Sequence, residues 1–248
     1  MGQLINGQWD ENPNFPTSSD GAFRRPDASF RNWVTPDGAP GPSGVGGYLP
    51  ESGRYHLYVS YACPWAHRTL IYHLFGAKQL YEIYQRADSG VSARVTVPIL
   101  WDKQTNSIVS NESAEIIRMF DTAFNGLTGN TATFRPAGLE DEIDAVNTRV
   151  YNTLNNGVYR CGFATSQRAY DTAVGELFDT MDWLEARLAK SRYLVGDSII
   201  EADWRLAPTL FRFDAVYHGH FKCSRNRLVD FPNLWAYARD LFQQPGVA

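Results

Sequence analysis

The junction between an apolar strand and a helix at Cys63 constrains the fold of this chain most strongly. Residues 56–60 have the pattern of a strand, and a helical stretch begins at Trp65 after a short loop. Pro64 suits the first turn of that helix, where its missing N–H costs nothing. Because the N–H groups and the dipole at a helix N-terminus favour an anion, the pattern predicts that Cys63 is partly thiolate near neutral pH.

The residue three positions after Cys63 indicates which thiol completes its chemistry. Thioredoxin-like redox proteins share this strand–Cys-Pro–helix layout and carry a second cysteine there, whereas this chain has Ala66. A mixed disulfide at Cys63 therefore needs an external thiol to resolve it, and glutathione is the abundant candidate. A lone cysteine is more often a small buried apolar residue. The strand-to-helix turn, Pro64 and Arg68 favour the reactive interpretation.

The composition excludes several classes of protein. Of the 248 residues, 44% are hydrophobic and 20% are charged, and the net charge is −4. A nucleic-acid binder would carry a basic stripe, and no apolar run approaches the length of a membrane-spanning helix. The N-terminus lacks the basic and apolar layout of a signal peptide, and three distant cysteines do not indicate a disulfide framework. We expect a cytoplasmic protein without nucleic-acid or membrane partners.

The periodicity of apolar residues changes along the chain and predicts two folded domains. Residues 1–54 are rich in Gly, Pro, Ser and Asp and predict an irregular N-terminal extension. Residues 55–128 mix both patterns, with strands at 55–60, 94–102 and 107–110 and helices at 64–73, 75–85 and from 111. Residues 139–248 show only long amphipathic helices, at 139–155, 167–190, 202–217 and 234–243. The expected fold class is α/β plus all-α, a thioredoxin-like domain followed by a helical one.

Two features of the first domain predict a binding site for a thiol peptide. A proline within a strand is normally unfavourable. In thioredoxin-like domains, however, a cis-proline occupies this position and its neighbours hydrogen-bond an extended thiol peptide, so Pro98 is a positive signal. The helix that opens at 111 offers N–H groups and the Ser113 hydroxyl to a carboxylate, and glutathione carries two carboxylates.

The order of the two domains resembles the glutathione transferases, and the motifs resemble their Xi class in particular. That class comprises the glutathionyl-hydroquinone reductases of bacteria, fungi and plants. The similarity covers the whole chain and rests on Arg31-Asn32-Trp33, the segments 55–60, 63–70 and 94–98, Asn111-Glu112-Ser113 and Asn155-Asn156-Gly157-Val158-Tyr159.

The resemblance implies a role for each matching residue. Cys63 matches the nucleophile, Tyr159 the acid/base tyrosine and Tyr217 a tyrosine that keeps the pKa of the cysteine low. The remaining matches concern glutathione binding: Arg94, Val95, Thr96, Val97 (through its backbone) and Pro98 hold the tripeptide, and Glu112 and Ser113 grip its γ-glutamyl end. From the residues alone, Tyr159 and Tyr217 are more simply interpreted as buried aromatics with satisfied hydroxyls.

The implied reaction is the reduction of glutathionyl-hydroquinones through a mixed disulfide between Cys63 and glutathione, with release of oxidised glutathione. Glutathione is the co-substrate, a homodimer is expected, and no metal is expected because Cys63, His67 and His73 lack a second ligand cluster. Two alternatives remain at this point. An omega-like thioltransferase or dehydroascorbate reductase also uses a single cysteine, but it has no need of Tyr159. A non-catalytic transferase-like binding protein would not need an intact Cys63.

The sequence departs from the family pattern in four places. The family has a second strand and a long loop where this chain joins His73 directly to Leu74-Phe75, and it continues beyond Ala248 with a further tyrosine. We expect both gaps to be segments omitted from the sequence, and the alternative is a natural deletion that would threaten fold and activity. Ala93 replaces a usual glycine. Ile200 replaces a Ser or Thr helix cap, a loss that costs roughly 1 kcal/mol.

Overall fold

The structure of the chain is a computed structural model that describes residues 2–11, 16–70 and 80–247. It divides into two units, one formed by Met1–Asn14 with Pro26–Thr133 and the other by Phe15–Arg25 with Phe134–Ala248. The region 1–54, which the sequence sets apart as an extension, is therefore shared between the two units. The junction of His73 with Phe75, the end of the predicted helix 64–73, the start of the helix 75–85 and the side chain of Arg68 lie outside the described residues.

A three-stranded antiparallel sheet forms the centre of the first unit. Its strands lie in the order β5 (Tyr55–Tyr58), β7 (Ile99–Asp102) and β8 (Ser107–Ser110). The pairing joins Tyr55 to Asp102 at one end and Tyr58 to Ile99 at the other. The Cys63 loop follows Tyr58 at the end of β5, and Pro98 directly precedes Ile99 at the start of β7. The register thus places the Cys63 loop and Pro98 at the same end of the sheet.

Helices cover this sheet and complete a thioredoxin-like fold. The helix α1 (Pro64–Leu70) begins at the predicted residue and packs against α3 (Ser113–Thr122). Leu57, Leu100 and Ile116 are almost wholly buried in the layer between sheet and helix. The described part of the unit also contains α2 (Leu80–Ala87) and the short α4 (Asn125–Thr128).

Two predictions for the first unit need correction. The strand expected at 94–102 is two strands, β6 (Ala93–Arg94) and β7, because the backbone leaves the sheet before Pro98. The N-terminal region is not wholly irregular. Its first strands, β1 (Gln3–Ile5) and β2 (Gln8–Asp10), form a hairpin whose β1 also pairs with β6. Asn6 and Gly7 both have positive φ, and an Asn-Gly pair with this conformation is typical of a two-residue hairpin turn. The high Gly, Pro, Ser and Asp content of residues 1–54 led the sequence analysis to overlook this pair. Two further short strands, β3 (Trp33–Val34) and β4 (Gly47–Tyr48), pair in parallel.

The second unit is helical, as predicted. Its main helices are α5 (Glu140–Val150), α6 (Gly157–Gly162), α7 (Gln167–Leu188), α8 (Glu201–Arg212) and α9 (Pro232–Phe242). Single π-helical segments, Tyr151–Asn155 and Phe213–Tyr217, continue α5 and α8, and a 3₁₀ turn occupies Leu228–Asp230. The sequence analysis missed α6, which is too short to show a full apolar period. π-helical turns are frequent at functional sites; the first of these ends shortly before Tyr159, and the second ends at Tyr217.

The start of α8 compensates in part for the missing cap at Ile200. An isoleucine side chain cannot accept a hydrogen bond, so the first N–H groups of α8 gain nothing from it. Asp203 supplies the reciprocal contact, because its carboxylate accepts from the N–H of Ile200 at 2.8 Å and from that of Leu194 at 3.0 Å. The hydroxyl of Tyr237 also donates to Asp203, at 2.6 Å. The carboxylate thus ties three separate segments of the unit together.

A short N-terminal segment, residues 16–25, lies on the second unit and is called the strap below. The backbone of Gly21 accepts from the N–H of Thr165 at 3.0 Å, and that of Asp20 accepts from the Ser166 hydroxyl at 2.6 Å. Gly21 has φ +85°, and a Cβ there would lie 2.9 Å from the backbone nitrogen of Ser166. Only glycine fits this approach without strain. The ring of Phe23 completes the contact by packing on Phe163 with centroids 5.3 Å apart.

Candidate active site

The loop that carries Cys63 is closed by backbone hydrogen bonds on both sides of the thiol. The N–H of Cys63 donates to the carbonyl of Ser60 at 3.0 Å, and the carbonyl of Cys63 accepts from the N–H of His67 at 2.9 Å. Pro64 opens α1 immediately after the cysteine, as the sequence predicts. The residue is half-buried and its thiol is not in a disulfide. The fold therefore presents an accessible thiol at a helix start.

The thiol faces the segment before β7. The Cys63 Sγ lies 3.6 Å from the carbonyl oxygen of Val97, within hydrogen-bonding range for sulfur. The Val97–Pro98 peptide bond is cis, which confirms the prediction for this position. The nucleophile candidate and the segment predicted to hold glutathione are thus neighbours within one unit.

A buried tyrosine that the sequence analysis did not single out joins both predicted glutathione-binding segments. The Tyr84 hydroxyl donates to the carbonyl of Thr96 at 3.0 Å and accepts from the N–H of Thr96 at 3.2 Å. It also accepts from the side-chain amide of Asn111 at 2.9 Å. Burial raises the pKa of Tyr84, although these hydrogen bonds act against the shift. The hydroxyl therefore stays protonated. It connects Thr96 to Asn111, the residue before Glu112.

Glu112 and Ser113 stand at the start of α3. Glu112 is the N-cap of this helix, and its carboxylate accepts from the N–H of Ala114 at 2.9 Å. Ser113 is the first helical residue and is buried. Asn111 fixes the approach to this helix, because it exchanges hydrogen bonds with the backbone of Phe30 at 3.0 Å in both directions. The N–H groups at the start of such a helix favour an anion.

Arg94 and Val95 directly precede Thr96 and Val97 in the chain. Arg94 pairs with Gln3 on β1 and is half-buried, whereas Val95 is buried in the core beside Tyr84. The substitution of Ala93 for the usual glycine is accommodated, since Ala93 pairs with Leu4 in the same ladder. Arg94 and Val95 thus lead directly to Thr96, which Tyr84 connects to Asn111 at the approach to α3.

The two candidate tyrosines meet in the second unit. The hydroxyl oxygens of Tyr159 and Tyr217 are 3.5 Å apart, and their rings meet edge-on with centroids 6.0 Å apart. Phe221 packs against both rings, at 5.4 Å and 5.3 Å. Tyr217 is buried and Tyr159 is half-buried. The separation of the two hydroxyl oxygens is longer than that of an ordinary O–H···O hydrogen bond.

Cys161 and Cys223 lie in the core of the same unit, and both are fully buried. The hydrogen bond with Cys161 and burial both raise the pKa of the Cys223 thiol far above its usual range. A buried thiol kept protonated is a poor nucleophile. Neither cysteine is a candidate for the redox chemistry.

The described residues contain neither a metal site nor a membrane-spanning helix. No group of three His, Cys, Asp or Glu side chains among those residues is arranged to hold a metal ion. No helix of the described structure is long and apolar enough to cross a membrane.

Family models and known proteins match this arrangement. The model of the glutathione S-transferase N-terminal domain matches residues 62–123, and that of the C-terminal domain matches residues 167–240. Glutathionyl-hydroquinone reductase YqjG of Escherichia coli (strain K12) is 47% identical over an alignment that covers 100% of this chain and 87% of YqjG. Its glutathione-bound structure superimposes with a TM-score of 0.87 at 45% identity, covering 99% of this chain and 86% of that one.

Two further relatives extend the similarity. Glutathionyl-hydroquinone reductase PcpF of Sphingobium chlorophenolicum is 44% identical, with 94% of this chain and 83% of PcpF covered. The Xi-class glutathione transferase of Natrialba magadii has a TM-score of 0.87 at 41% identity and covers 100% of this chain and 85% of its own. Identity at this level over both domains shows common descent rather than a shared fold alone. The chain belongs to the Xi class of glutathione transferases, together with the glutathionyl-hydroquinone reductases.

Proposed function

We propose that the protein reduces glutathionyl-hydroquinones to hydroquinones, with glutathione as co-substrate and oxidised glutathione as the second product. The single observation that carries the proposal is the Cys63 thiol, 3.6 Å from the Val97 carbonyl at the cis-proline. Ala66 leaves the loop without a resolving cysteine, which calls for an external thiol. The glutathionyl-hydroquinone reductases among its relatives, at 47% and 44% identity, support the same reaction.

The reaction balances with groups that the chain and glutathione supply. The Cys63 thiolate attacks the glutathione sulfur of the substrate. The bond from that sulfur to the aromatic carbon breaks, its electron pair stays on the carbon, and the carbon takes a proton from Tyr159. A second glutathione attacks the mixed disulfide, releases oxidised glutathione and regenerates the thiolate. The proton of that second thiol restores Tyr159.

The glutathione moiety is held by the first unit in this proposal. Its backbone pairs with Val97, next to Arg94, Val95, Thr96 and Pro98. The γ-glutamyl carboxylate binds the N–H and hydroxyl of Ser113 at the start of α3, where N–H groups and the helix dipole favour an anion. The γ-glutamyl ammonium binds Glu112. Tyr217, whose hydroxyl oxygen lies 3.5 Å from that of Tyr159, stabilises the thiolate of Cys63.

A direct assay tests this function. Purified protein is incubated with glutathionyl-menadiol and reduced glutathione, and the release of menadiol and of oxidised glutathione is followed. We expect one oxidised glutathione per menadiol, with no menadiol formed by the Cys63→Ala variant. An omega-like enzyme would reduce hydroxyethyl disulfide or dehydroascorbate but release no menadiol, and a binding protein would turn over none of these.

The proposal includes a homodimer in the cytoplasm. The proposed reaction consumes reduced glutathione, and the cytosol is the compartment where glutathione keeps thiols reduced. Light scattering after gel filtration measures the oligomeric state, and a monomer at working concentration would contradict the dimer.

A further inference from the structure

The strap brings one cation onto the ring of Tyr159. The guanidinium carbon of Arg25 lies 4.6 Å from the centroid of that ring. The Nε–H of Arg25 donates to the side-chain oxygen of Asn156 at 2.7 Å, which fixes the plane of the guanidinium. Asn156 itself follows the π-helical segment and precedes α6 by one residue, and α6 carries Tyr159. Arg25 is therefore held over Tyr159 from two directions, by the strap and by the start of α6.

We propose that Arg25 is a positioning residue for Tyr159: it fixes the plane of the phenol ring and stabilises the negative charge that the Tyr159 oxygen acquires when it gives up its proton. A guanidinium over an aromatic face is attracted to the electrons of the ring, and the attraction grows when the ring becomes a phenolate. This step rests on the proposed function, in which Tyr159 donates a proton to the aromatic carbon.

The construction of the strap supports a specific role for this arginine. Gly21 permits the close approach of the strap to Ser166, and Phe23 anchors it on Phe163. These contacts determine where the following residues lie. Arg24 is exposed, whereas Arg25 is half-buried between Asn156 and the Tyr159 ring. Neighbouring arginines of equal charge thus occupy different environments, which gives a matched control within the chain.

The kinetic test compares Arg25→Gln with Arg24→Gln on two substrates. We expect Arg25→Gln to slow glutathionyl-menadiol reduction by about 5- to 30-fold and to leave hydroxyethyl disulfide reduction unchanged, because a departing thiolate needs no proton from Tyr159. Arg24→Gln should change neither rate. Arg25→Lys, which keeps the charge but loses the planar fork, should recover part of the rate. In a Tyr159→Phe background, Arg25→Gln should have no further effect. Equal loss on both substrates would mean that Arg25 only supports the fold and would overturn the proposal.

A second measurement does not depend on turnover. The protein is labelled at the phenol carbon of tyrosine, the Tyr159 resonance is assigned by its absence in Tyr159→Phe, and it is titrated between about pH 8 and about pH 11. In Arg25→Gln the resonance should titrate at higher pH than in the unaltered protein, because the tyrosinate has lost its cation. An unchanged titration would refute the proposal. Because this readout holds even if no menadiol is released, failure of the proposed function and failure of this inference are distinguishable.

Discussion

At the scale of single residues, Cys63 combines two features that suit thiol exchange. Its thiol is accessible at the start of a helix, and it lies beside the Val97 carbonyl, where a peptide backbone is proposed to pair. A glutathione sulfur held along Val97 would therefore meet the protein sulfur. The other cysteines are fully buried and have no such access.

The first prediction concerns the identity of the nucleophile. Cys63→Ala should abolish both glutathionyl-menadiol and hydroxyethyl disulfide reduction without unfolding the protein, because a half-buried side chain is shortened by one atom. Cys161→Ala and Cys223→Ala are the controls and should keep the rate per folded molecule, although each removes a buried sulfur. Circular dichroism checks folding. Turnover that survives in Cys63→Ala would rule out the mechanism.

The role of Tyr159 is separable from that of Cys63. General acid catalysis typically contributes about 10²- to 10⁴-fold, so Tyr159→Phe should slow glutathionyl-menadiol reduction to that extent. The same variant should reduce hydroxyethyl disulfide at the original rate. Measuring both rates on one preparation makes the comparison independent of the active fraction. A parallel loss on both substrates would instead assign Tyr159 to binding or structure.

Glu112 is proposed to bind the γ-glutamyl ammonium, but it also caps α3 through Ala114. The loss of a charged partner should raise the KM for glutathione more than tenfold in Glu112→Ala. Glu112→Gln is the matched variant, because its amide oxygen can still accept from the N–H of Ala114 while the charge is gone. If the negative charge of Glu112 binds the γ-glutamyl ammonium, both variants should show a raised KM for glutathione. A normal KM in Glu112→Gln would attribute the effect to the cap.

At the scale of elements, Tyr84 on α2 connects the segment before β7 with the start of α3. Tyr84→Phe leaves the backbone of Thr96 and the amide of Asn111 without this partner, and an unsatisfied buried group costs about 1–3 kcal/mol. We expect a KM for glutathione raised by roughly tenfold with little change in kcat, since the thiol itself is untouched. Tyr81→Phe, on the same helix but stacked on Trp9, should leave the KM unchanged. A change in kcat alone would contradict this positioning role.

Local and distant features of these elements differ in how far the sequence could predict them. The strand, loop and helix around Cys63 follow from a contiguous pattern, and so do the long helices of the second unit. The Tyr84–Asn111 contact joins residues 27 apart, and the Arg25–Asn156 contact joins residues 131 apart. No short-range period encodes such pairs. The composition of residues 16–25 indicates a loop but not which surface the loop covers, so the strap and Arg25 were found only in the structure.

At the scale of the whole molecule, the residues that stabilise the first unit are separated from those proposed to act on substrate. Asp102 stands at the end of β7 that is farthest from Pro98, and it is fully buried. Arg54 donates two hydrogen bonds to its carboxylate, both 2.8 Å long. Changes at this end of the sheet should therefore alter stability without altering glutathione binding.

The last prediction uses the titration of Asp102. Burial alone would raise the pKa of this carboxyl, but hydrogen bonds from Arg54, Thr105 and Gln104 outweigh it and lower the pKa to about 2. A lowered pKa stabilises the fold above the unfolded value, near 3.8, and this stabilisation disappears as the pH falls towards 2. Asp102→Asn should lower the free energy of unfolding in urea by about 3 kcal/mol at neutral pH, and the difference from the unaltered protein should shrink below pH 4.

The control for that experiment is Asp179→Asn, which breaks an ion pair with Arg149 whose aspartate side chain is 76% exposed. Exposed pairs contribute about 0–1 kcal/mol, so this variant should unfold nearly as the unaltered protein does. Both variants should keep the KM for glutathione, because neither residue lies at the Cys63 end of the sheet. A raised KM in Asp102→Asn would show that the two ends are coupled. If the loss of unfolding free energy in Asp102→Asn stays the same below pH 4, the stabilisation does not depend on the charge of Asp102, which would contradict the prediction.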